Sequence, residues 1–272
     1  MEIFSGSIVL YNNEATSLKK AIDSFLKANN KGVLYLIDNS TSDVLKKLAN
    51  MERIHYIHNP SNPGFGAAHN VALNLAIEAG YQYHFIINPD IYFNVDIITP
   101  MLNYMQDRPD VGMLMPEVLN EDGSVQYLPK LLPSPFWIFR RKLKKPAKIH
   151  QKFVDKYELQ KVGRRTIYNS PLLSGCFTLL NLTAIKELGG YDDQYFMYFE
   201  DFDLSRRIHR KYKTIYFPNV SVYHSYDSGA NKSSRLFSIF VSSAITYFNK
   251  WGWFFDKERI KVNKETLKQF ES

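Results

Sequence analysis

Short apolar runs alternate with longer amphipathic segments through the first 115 residues. The first run covers residues 7–11, and apolar side chains then recur at helical spacing from Leu18 to Leu26. Four further apolar runs follow at 33–37, 54–57, 83–87 and 111–115, with predicted helices at 43–50, 65–79 and 95–106 between them. Because strands that alternate with helices of about 10–15 residues form βαβ units, the pattern predicts an α/β fold with a mostly parallel central sheet flanked by helices.

This pattern breaks after Pro116. Five prolines between Pro116 and Pro146, together with the basic run at 136–165, predict an irregular insertion. Order returns with a strand at 172–180, a short helix from Asn181 to Gly189, a helix at 201–211, strands at 214–217 and 221–223, and a last helix at 235–255. The apolar stripe of this last helix consists of Phe237, Phe240, Val241, Ala244, Phe248 and Trp251.

Composition places the chain among ordinary globular proteins. Of its 272 residues, 45% are hydrophobic and 22% are charged, which excludes disorder, collagen and coiled coil. The single cysteine, Cys176, excludes an internal disulfide framework and any Cys-rich zinc module. The N-terminus lacks the basic-then-apolar layout of a signal peptide, and no window of about 20 residues is apolar enough to predict a transmembrane helix.

Positive charge is concentrated in the predicted insertion. Residues 136–165 contain eleven basic and two acidic side chains, a net charge of +9, against +7 for the whole chain. A basic patch of this kind favours nucleic acid, an anionic membrane surface or a phosphorylated substrate, unless it is simply a solvated face. Because no nucleic-acid-binding motif accompanies it, we expect no nucleic-acid partner.

Polar residues follow the predicted strands, where open parallel sheets bind their ligands. Tyr11 and Asn12 follow the first strand, and Asp38 follows the second. Asn88 and Asp90 follow the fourth. Asp38 can accept hydrogen bonds from a base or ribose, and the Asp90 carboxylate can bind a divalent cation shared with a diphosphate. Each residue type is also common in turns and helix caps, so any one of them alone is weak support.

A glycine-containing segment at 62–70 is more specific. Gly64 and Gly66 permit a close backbone approach just before a helix N-terminus, which is a natural anion site. The third position of a dinucleotide fingerprint is His69 instead of glycine, and the segment follows the third strand instead of the first. The chain also lacks the Gly-Lys-Ser/Thr of a P-loop.

Three acids lie among aromatic residues near position 200. Glu200, Asp201 and Asp203 fall at the predicted start of a helix, where acids also interact favourably with the helix dipole. A carboxylate beside apolar rings can serve as a general base. His224 follows a late strand and is a candidate metal ligand in its neutral form, although single histidines are more often structural.

Taken in order, these motifs resemble the family 2 glycosyltransferases, and most closely the bacterial rhamnosyltransferase-like branch. The resemblance covers roughly residues 5–250. It rests on the segments 7–12, 37–40, 62–66, 88–90, 173–176 and 199–204 and on His224. The resemblance implies a GT-A fold with a nucleotide-sugar-binding half at 1–115. It also implies an acceptor-binding half at 116–272 that holds the basic insertion and the amphipathic C-terminal helix.

The same resemblance implies transfer of rhamnose or another hexose with inversion. The donor would be a dTDP- or UDP-sugar, and its binding residues would be Tyr11, Asn12, Asp38, Asn62, Gly64, Asn70 and Asn88. Asp90 and His224 would bind Mg²⁺ or Mn²⁺, and Asp201 would be the base, with Glu200 as its rival. Asn88 replaces the first aspartate of the family's Asp-X-Asp motif and adds no charge to the metal site.

The resemblance also implies an acceptor and a location. The acceptor would be a glycan or lipid-linked glycan in cell-surface polysaccharide synthesis, at the cytoplasmic face of a membrane. The basic insertion and the aromatic residues Trp251, Trp253, Phe254 and Phe255 are typical of a peripheral membrane surface, unless the last helix simply packs on the domain. Two other functions stay open, namely a dinucleotide-dependent oxidoreductase and a non-catalytic nucleotide- or glycan-binding module.

Overall fold

The computed structural model describes residues 4–29, 31–142, 147–225 and 233–271. Its strands are β1 (Phe4–Leu10), β2 (Val33–Asp38), β3 (Ile54–His58), β4 (Tyr83–Ile87), β5 (Ile91–Tyr92), β6 (Val111–Leu119), β7 (Tyr168–Asn169), β8 (Phe177–Asn181) and β9 (Lys213–His224). Its α-helices are α1 (Ala15–Ala28), α2 (Phe65–Glu78), α3 (Ile98–Gln106), α4 (Pro135–Lys142), α5 (Ala147–Tyr157), α6 (Leu182–Leu188), α7 (Glu200–His209), α8 (Ser234–Trp251) and α9 (Lys257–Lys268). A short 3₁₀ helix covers Val44–Ala49.

All nine strands form one sheet in the order β3-β2-β1-β4-β8-β6-β9-β5, with β7 paired to β9. The parallel pairing predicted for the first half is confirmed, because β3, β2, β1 and β4 run in one direction. The sheet as a whole is mixed, since β8 lies antiparallel between β4 and β6, and β5 and β7 are antiparallel to β9. Because β8 is antiparallel to both β4 and β6, these two strands run in the same direction, and β9 is parallel to β6. The carboxyl ends of β1, β2, β4, β6 and β9 therefore lie at one edge.

Helices cover both faces of this sheet, as predicted. On one face, α1 and α3 contribute residues such as Phe25 and Met101 to a buried cluster that includes Phe85 of β4. On the other face, α2, α6 and α7 pack their apolar side chains against β1, β4 and β6. Burying one large apolar side chain, such as Phe or Met, contributes roughly 1.5–3 kcal/mol to stability relative to leaving it exposed. These two layers are therefore the main source of stability.

The prediction of an irregular insertion holds for residues 120–134, which form no helix or strand, and was wrong for much of 136–165. Two helices, α4 and α5, occupy much of it, and Trp137 packs edge-on against Phe153 and Tyr157 with ring centroids 5.7 and 5.2 Å away. Pro135 does not interrupt this structure, because it stands at the first position of α4, where its missing N–H costs no hydrogen bond. Residues 143–146 of the insertion lie outside the described residues.

Three further elements differ from prediction. The two late strands are a single strand, β9, whose pairing with β6 skips residues 218–220. The last predicted helix ends earlier, at Trp251, because Gly252 has a φ of 99°. A further helix, α9, follows it and begins at Lys257, after the N-cap residue Asp256, whose carboxylate accepts a hydrogen bond from the Arg259 N–H.

The apolar stripe of α8 divides between two environments. Phe240, Ala244, Phe248 and Trp251 pack with the segment before α7, where Tyr195 and Phe199 are buried. Phe237 and Val241 are 46% and 38% exposed. Within the described ranges, no helix is both long and apolar enough to cross a membrane.

Candidate functional site

The carboxyl ends of the strands bring the predicted polar residues to one edge of the sheet. Asp38 lies beside Leu10, the last residue of β1, in the β1–β2 register. His224 ends β9 directly opposite Ile91, so the segment around Asp90 faces it. The predicted site residues therefore converge, although they are spread over more than 200 positions of the sequence.

Asp38 is completely buried and held by the chain itself. Its Oδ1 accepts a hydrogen bond from the Ser40 N–H at 2.9 Å, and its Oδ2 accepts one from the Tyr56 hydroxyl at 2.6 Å. Burial and the hydrogen bond to Asp38 raise the pKa of Tyr56, which therefore stays a donor. Tyr11 lies half exposed at the rim of this region, and the Asn12 N–H donates to Ser40 Oγ at 2.8 Å.

The glycine-containing segment contacts the residues that precede α7. Gly64 has a φ of 106°, and a Cβ placed on it would lie 2.3 Å from the carbonyl oxygen of Phe196. The next residue, Phe65, donates its N–H to the same oxygen at 2.8 Å. Asn62 accepts a 3.3 Å hydrogen bond from the amide of Asn39. Gly64 is thus required for close backbone packing against the segment that carries the acids.

Asn70 is one of the residues predicted to bind the nucleotide-sugar donor, but in the structure its side chain makes contacts within the protein. Its amide nitrogen donates to the Tyr191 carbonyl at 2.8 Å and to the Asp193 carboxylate at 3.0 Å. Its carbonyl oxygen accepts a hydrogen bond from the Tyr191 N–H at 2.8 Å. Since both amide hydrogens are already used, the side chain has only acceptor capacity left for a ligand.

Asn88, Asp90 and His224 form a compact cluster. The His224 Nε2 lies 3.2 Å from Asp90 Oδ1 and 3.4 Å from Asn88 Nδ2. On the other side of the ring, Nδ1 lies 3.1 Å from Gln126 Oε1. The Gln126 amide nitrogen donates to Asn120 Oδ1 and to the His224 carbonyl, which fixes Oε1 as the acceptor.

This arrangement fits a divalent cation. Because Gln126 accepts from Nδ1, the neutral imidazole of His224 carries its proton there and directs a lone pair from Nε2 towards Asp90. Asp90 Oδ1 is buried without a hydrogen-bond partner. Two acceptors about 3 Å apart suit a small cation that takes one or two protein ligands together with substrate phosphates. Among the described residues, no group of three or more His, Cys, Asp or Glu side chains forms a closed metal site.

The two acids Glu200 and Asp201 begin α7 directly after a strained turn. Tyr198 and Phe199 both have left-handed backbone conformations, with φ of 70° and 65°. Such conformations persist only where the surroundings hold them, and they concentrate at functional sites. Here Phe199 is buried in the cluster with α8, and the Phe196 carbonyl is held by Phe65.

The structure distinguishes the two acids. Asp201 accepts hydrogen bonds from the N–H groups of Gly175 at 3.2 Å and Phe202 at 2.9 Å, whereas Glu200 Oε2 is buried without a partner. Burial and the charge of Asp201 raise the pKa of Glu200 well above its ordinary value. Burial also raises the pKa of Asp201, but the hydrogen bonds from Gly175 and Phe202 act in the opposite direction. Asp201 is therefore the acid that ionises more readily.

Asp203, the third acid of this segment, is structural. Its side chain is completely buried and accepts from Arg207 Nε at 2.8 Å and from Trp251 Nε1 at 2.9 Å. Lys250 of α8 also lies 2.8 Å from it. These contacts attach α8 to α7 and leave no exposed oxygen for catalysis.

Sequence reasoning missed Tyr56 and Gln126. Tyr56 lies in β3, one strand away from the Asp38 that it contacts. Gln126 lies in the segment after β6, which no motif distinguishes. The alternating pattern that placed β2 beside β3 could have suggested Tyr56, but no sequence signal pointed to Gln126.

Comparison with known proteins identifies the family. The family model for glycosyl transferase family 2 matches residues 7–189. The chain belongs to this family. It is 25% identical over 251 residues to the N-acetylglucosaminyl-diphospho-decaprenol L-rhamnosyltransferase of Mycobacterium tuberculosis, with 80% of this chain and 76% of the relative covered. It is also 31% identical over 121 residues to the dTDP-rhamnosyl transferase RfbF of Shigella flexneri, with 44% of this chain and 40% of that protein covered.

Solved structures confirm the predicted GT-A fold. GalNAc-T7, solved with UDP, GalNAc and Mn²⁺, matches with a TM-score of 0.61 and 18% identity over 83% of this chain and 43% of that one. TarS of S. aureus matches with a TM-score of 0.59 and 15% identity over 99% of this chain and 43% of that one. The chain thus spans less than half the length of either structure. The predicted membership of a rhamnosyltransferase-like glycosyltransferase family is also confirmed.

Proposed function

We propose that this protein transfers rhamnose or a related hexose from a dTDP- or UDP-sugar to a hydroxyl group of a glycan or lipid-linked glycan, with inversion. One observation carries the proposal. Two consecutive residues, Gly175 and Cys176, contact both halves of the candidate site. The Gly175 N–H donates to Asp201, and the Cys176 carbonyl accepts from the Asn88 N–H at 2.8 Å. The candidate base and the candidate cation site are thus fixed relative to each other.

Each residue has a role in this reaction. Asp201 accepts the proton of the acceptor hydroxyl, whose oxygen attacks the anomeric carbon from the side opposite the leaving nucleoside diphosphate. Attack from the opposite side inverts the anomeric configuration. Asp90 and His224 would hold Mg²⁺ or Mn²⁺, and the bound cation would supply positive charge to the diphosphate leaving group. Tyr11, Asn12 and the region around Asp38 would bind the nucleoside.

The names of the relatives support the substrate classes. The Mycobacterium tuberculosis protein is named for a rhamnosyl transfer to a diphospho-decaprenol-linked sugar, and the Shigella flexneri protein is named for a dTDP donor. These names favour a dTDP-sugar donor and a lipid-linked acceptor for this chain. An acceptor of that kind would bring the enzyme to the cytoplasmic face of a membrane.

Exposed apolar residues near the C-terminus support a peripheral membrane contact as a further part of the proposal. Phe254 and Phe255 are 76% and 97% exposed, and Ile260 is 65% exposed. Lys257 and Lys261 are exposed on the same short stretch. Aromatic side chains flanked by lysines are typical of surfaces that bind anionic lipid. Flotation with phosphatidylglycerol vesicles tests this contact, and an F254S/F255S variant should remain with the soluble fraction.

A thermal-shift panel with UDP, dTDP, GDP and NAD, each with and without Mn²⁺, tests the function. A nucleotide at about 100 times its Kd adds roughly 2.7 kcal/mol to stability, a shift of roughly 5–10 °C for a chain of this size. We expect UDP or dTDP to stabilise the protein in a Mn²⁺-dependent manner, and D90A to lose that dependence. Stabilisation by NAD alone would instead favour an oxidoreductase, and D90A behaving like the wild type would contradict the cation site.

A further inference from the structure

A cavity of about 630 Å³ lies where the pairing of β6 and β9 is interrupted. It is lined by Glu117, Arg164, Arg165, Pro218 and Asn219, and we call it the arginine groove. Pro218 and Asn219 are two of the three β9 residues that the pairing with β6 skips. The volume falls within the range of roughly 300–1,000 Å³ that is typical of sites for small ligands.

Arg164 is fixed in this groove by a buried carboxylate. Its Nε donates to Glu117 Oε1 at 2.8 Å and its Nη2 donates to Glu117 Oε2 at 3.2 Å. The Glu117 side chain is 8% exposed, whereas that of Arg164 is 62% exposed. A guanidinium has five N–H donors, so the pair with Glu117 leaves three of them for a ligand. Arg165 lines the same groove and is also exposed.

The two arginines stand at the end of the basic segment 136–165, whose net charge is +9. The two acids of this segment are engaged within it. Asp155 accepts from the amide of Gln151 at 2.7 Å, and Glu158 accepts from that of Gln160 at 2.9 Å. A cleft lined by charge of one sign concentrates ligands of the opposite sign. The planar donor fork of arginine matches phosphate oxygens, so the groove favours a phosphate group.

A smaller cavity with aromatic walls adjoins the groove and shares Arg164 with it. Three tyrosines, Tyr127, Tyr168 and Tyr216, line this second cavity. Tyr168 and Tyr216 pack against each other with ring centroids 5.1 Å apart, whereas Tyr127 is 42% exposed. An exposed tyrosine presents an apolar ring face and a polar tip, a surface on which a sugar ring can pack. The two cavities together suit a sugar that carries phosphate.

The segment that carries Tyr127 also contacts the candidate cation site. Gln126 accepts from the His224 ring at 3.1 Å, and the next residue, Tyr127, lines the aromatic cavity. Lys130 Nζ donates to the carbonyls of Tyr127 at 3.0 Å and Leu128 at 3.1 Å, which holds this segment in place. One stretch of backbone therefore separates the aromatic cavity from the cation cluster.

We propose that the arginine groove and Tyr127 bind a phosphate-bearing sugar of the acceptor. This inference rests on the proposed function, in which the acceptor is a glycan or lipid-linked glycan. Arg165 and the free donors of Arg164 bind the phosphate, and the Tyr127 ring packs against the sugar. The basic segment, which has no part in the transfer step itself, thereby acquires a role in acceptor binding.

Calorimetric titration with glucose 1-phosphate and with inorganic phosphate, without added metal, tests this site. We expect the sugar phosphate to bind more tightly, because the Tyr127 ring adds a contact with the sugar. R165Q should weaken the binding of both probes by about tenfold, the effect of losing one charge-assisted hydrogen bond. Y127A should remove the advantage of the sugar phosphate and leave the binding of inorganic phosphate unchanged.

R108Q is the matched control. Arg108 is likewise an exposed arginine, but it follows α3 and packs on the Tyr104 ring at 4.1 Å from its centroid. This variant should bind both probes as the wild type does. Thermal unfolding establishes that each variant is folded before it is titrated. Wild-type affinity in folded R165Q would overturn the inference, and glucuronate that binds as tightly as glucose 1-phosphate would overturn the assignment to phosphate.

A second titration, with UDP or dTDP and Mn²⁺ present, separates this inference from the proposed function. Donor and acceptor occupy the enzyme together in a single displacement, so glucose 1-phosphate should bind with unchanged affinity. Competition would place the probe in the donor site and overturn the inference. If a nucleotide binds but R165Q keeps wild-type affinity for glucose 1-phosphate, only the role of the groove fails. If neither nucleotide binds, the proposed function fails, and with it the acceptor role of the groove.

Discussion

Gly64 and Phe196 are in backbone contact, and this contact joins the glycine-containing segment to the segment that carries the candidate base. A Cβ on Gly64 would lie 2.3 Å from the Phe196 oxygen and 2.8 Å from its Cα. Four residues after Phe196, the chain enters α7 through two left-handed residues. The glycine therefore supports the turn that directs Glu200 and Asp201 into the site.

We predict that G64A is strongly destabilising. The φ of 106° strains any residue with a Cβ by about 1–2 kcal/mol, and overlap with backbone adds about 1–3 kcal/mol. We therefore expect a loss of roughly 2–5 kcal/mol in urea unfolding. G80A is the matched control, because Gly80 has a φ of 78° but nothing within 4 Å of its Cβ position. Equal losses in the two variants would show that the contact with Phe196 contributes nothing.

The two acids at the start of α7 should respond differently to amide substitution. D201N removes the group that accepts the proton, so we expect turnover to fall by about 10²–10⁴-fold while nucleotide binding is kept. E200Q should have a much smaller effect, because burial and the charge of Asp201 already favour the protonated form of Glu200. Steady-state kinetics with a nucleotide-binding measurement separate these effects. A larger loss in E200Q than in D201N would reverse the assignment.

Stability as a function of pH gives an independent check on Glu200. Its pKa is raised in the folded protein, so between its unfolded and folded values the folded state binds more protons than the unfolded state. The free energy of unfolding contributed by this group is therefore largest below the unfolded pKa and is lost as pH rises towards the folded one. We expect E200Q to be more stable than the wild type at pH 7 and the difference to shrink at pH 4. A constant difference across this range would contradict the raised pKa.

Local sequence patterns predicted the fold well where neighbouring elements are also neighbours in the sheet. The alternation of strands and helices up to residue 115 indicated parallel pairing, and β1 to β4 follow it. The position of β8 was not predictable in this way. It enters between β4 and β6 after some 60 intervening residues, and its direction depends on that connection. Prolines were misleading in the insertion, because Pro135 stands where a helix accepts proline.

The candidate site shows the same limit at the level of side chains. Asp38, Asn88, Asp90 and His224 were predictable because each ends or follows a strand. The structure adds residues that act through contacts between distant segments. Gln126 reaches His224 across 98 positions, and such a pairing depends on the order of β6 and β9 in the sheet. Glu200, Asp201 and Asp203 look alike in the sequence, and only their partners separate them.

The buried ion pair between Arg206 and Asp256 should be essential for the attachment of α9. The two terminal guanidinium nitrogens of Arg206, Nη1 and Nη2, each donate to one carboxylate oxygen of Asp256 at 2.8 Å, and the two side chains are 2% and 3% exposed. D256A removes the bidentate partner of Arg206, which keeps only Glu258 at 2.9 Å, and it also removes the side chain that caps α9, so the variant should cost about 3–5 kcal/mol in chemical unfolding. E265A breaks the exposed pair with Lys261 and should cost no more than about 1 kcal/mol. A cost for D256A as small as that of E265A would contradict this reading of the pair.

Gln126 should control the affinity of the site for a divalent cation although it does not face the cation position. Its Oε1 accepts the Nδ1–H of His224, so that Nε2 is the acceptor nitrogen beside Asp90. Q126L removes this acceptor, so the imidazole can carry its proton on Nε2 instead. Loss of such an outer hydrogen bond typically weakens metal binding by about 10–100-fold. We expect the Mn²⁺ concentration needed to stabilise the dTDP or UDP complex to rise by that factor.

Q160L is the matched control. Gln160 lies in the segment after α5 and donates to Glu158 at 2.9 Å, so its replacement should leave the Mn²⁺ requirement unchanged. Wild-type Mn²⁺ dependence in Q126L would mean that the orientation of His224 does not depend on Gln126.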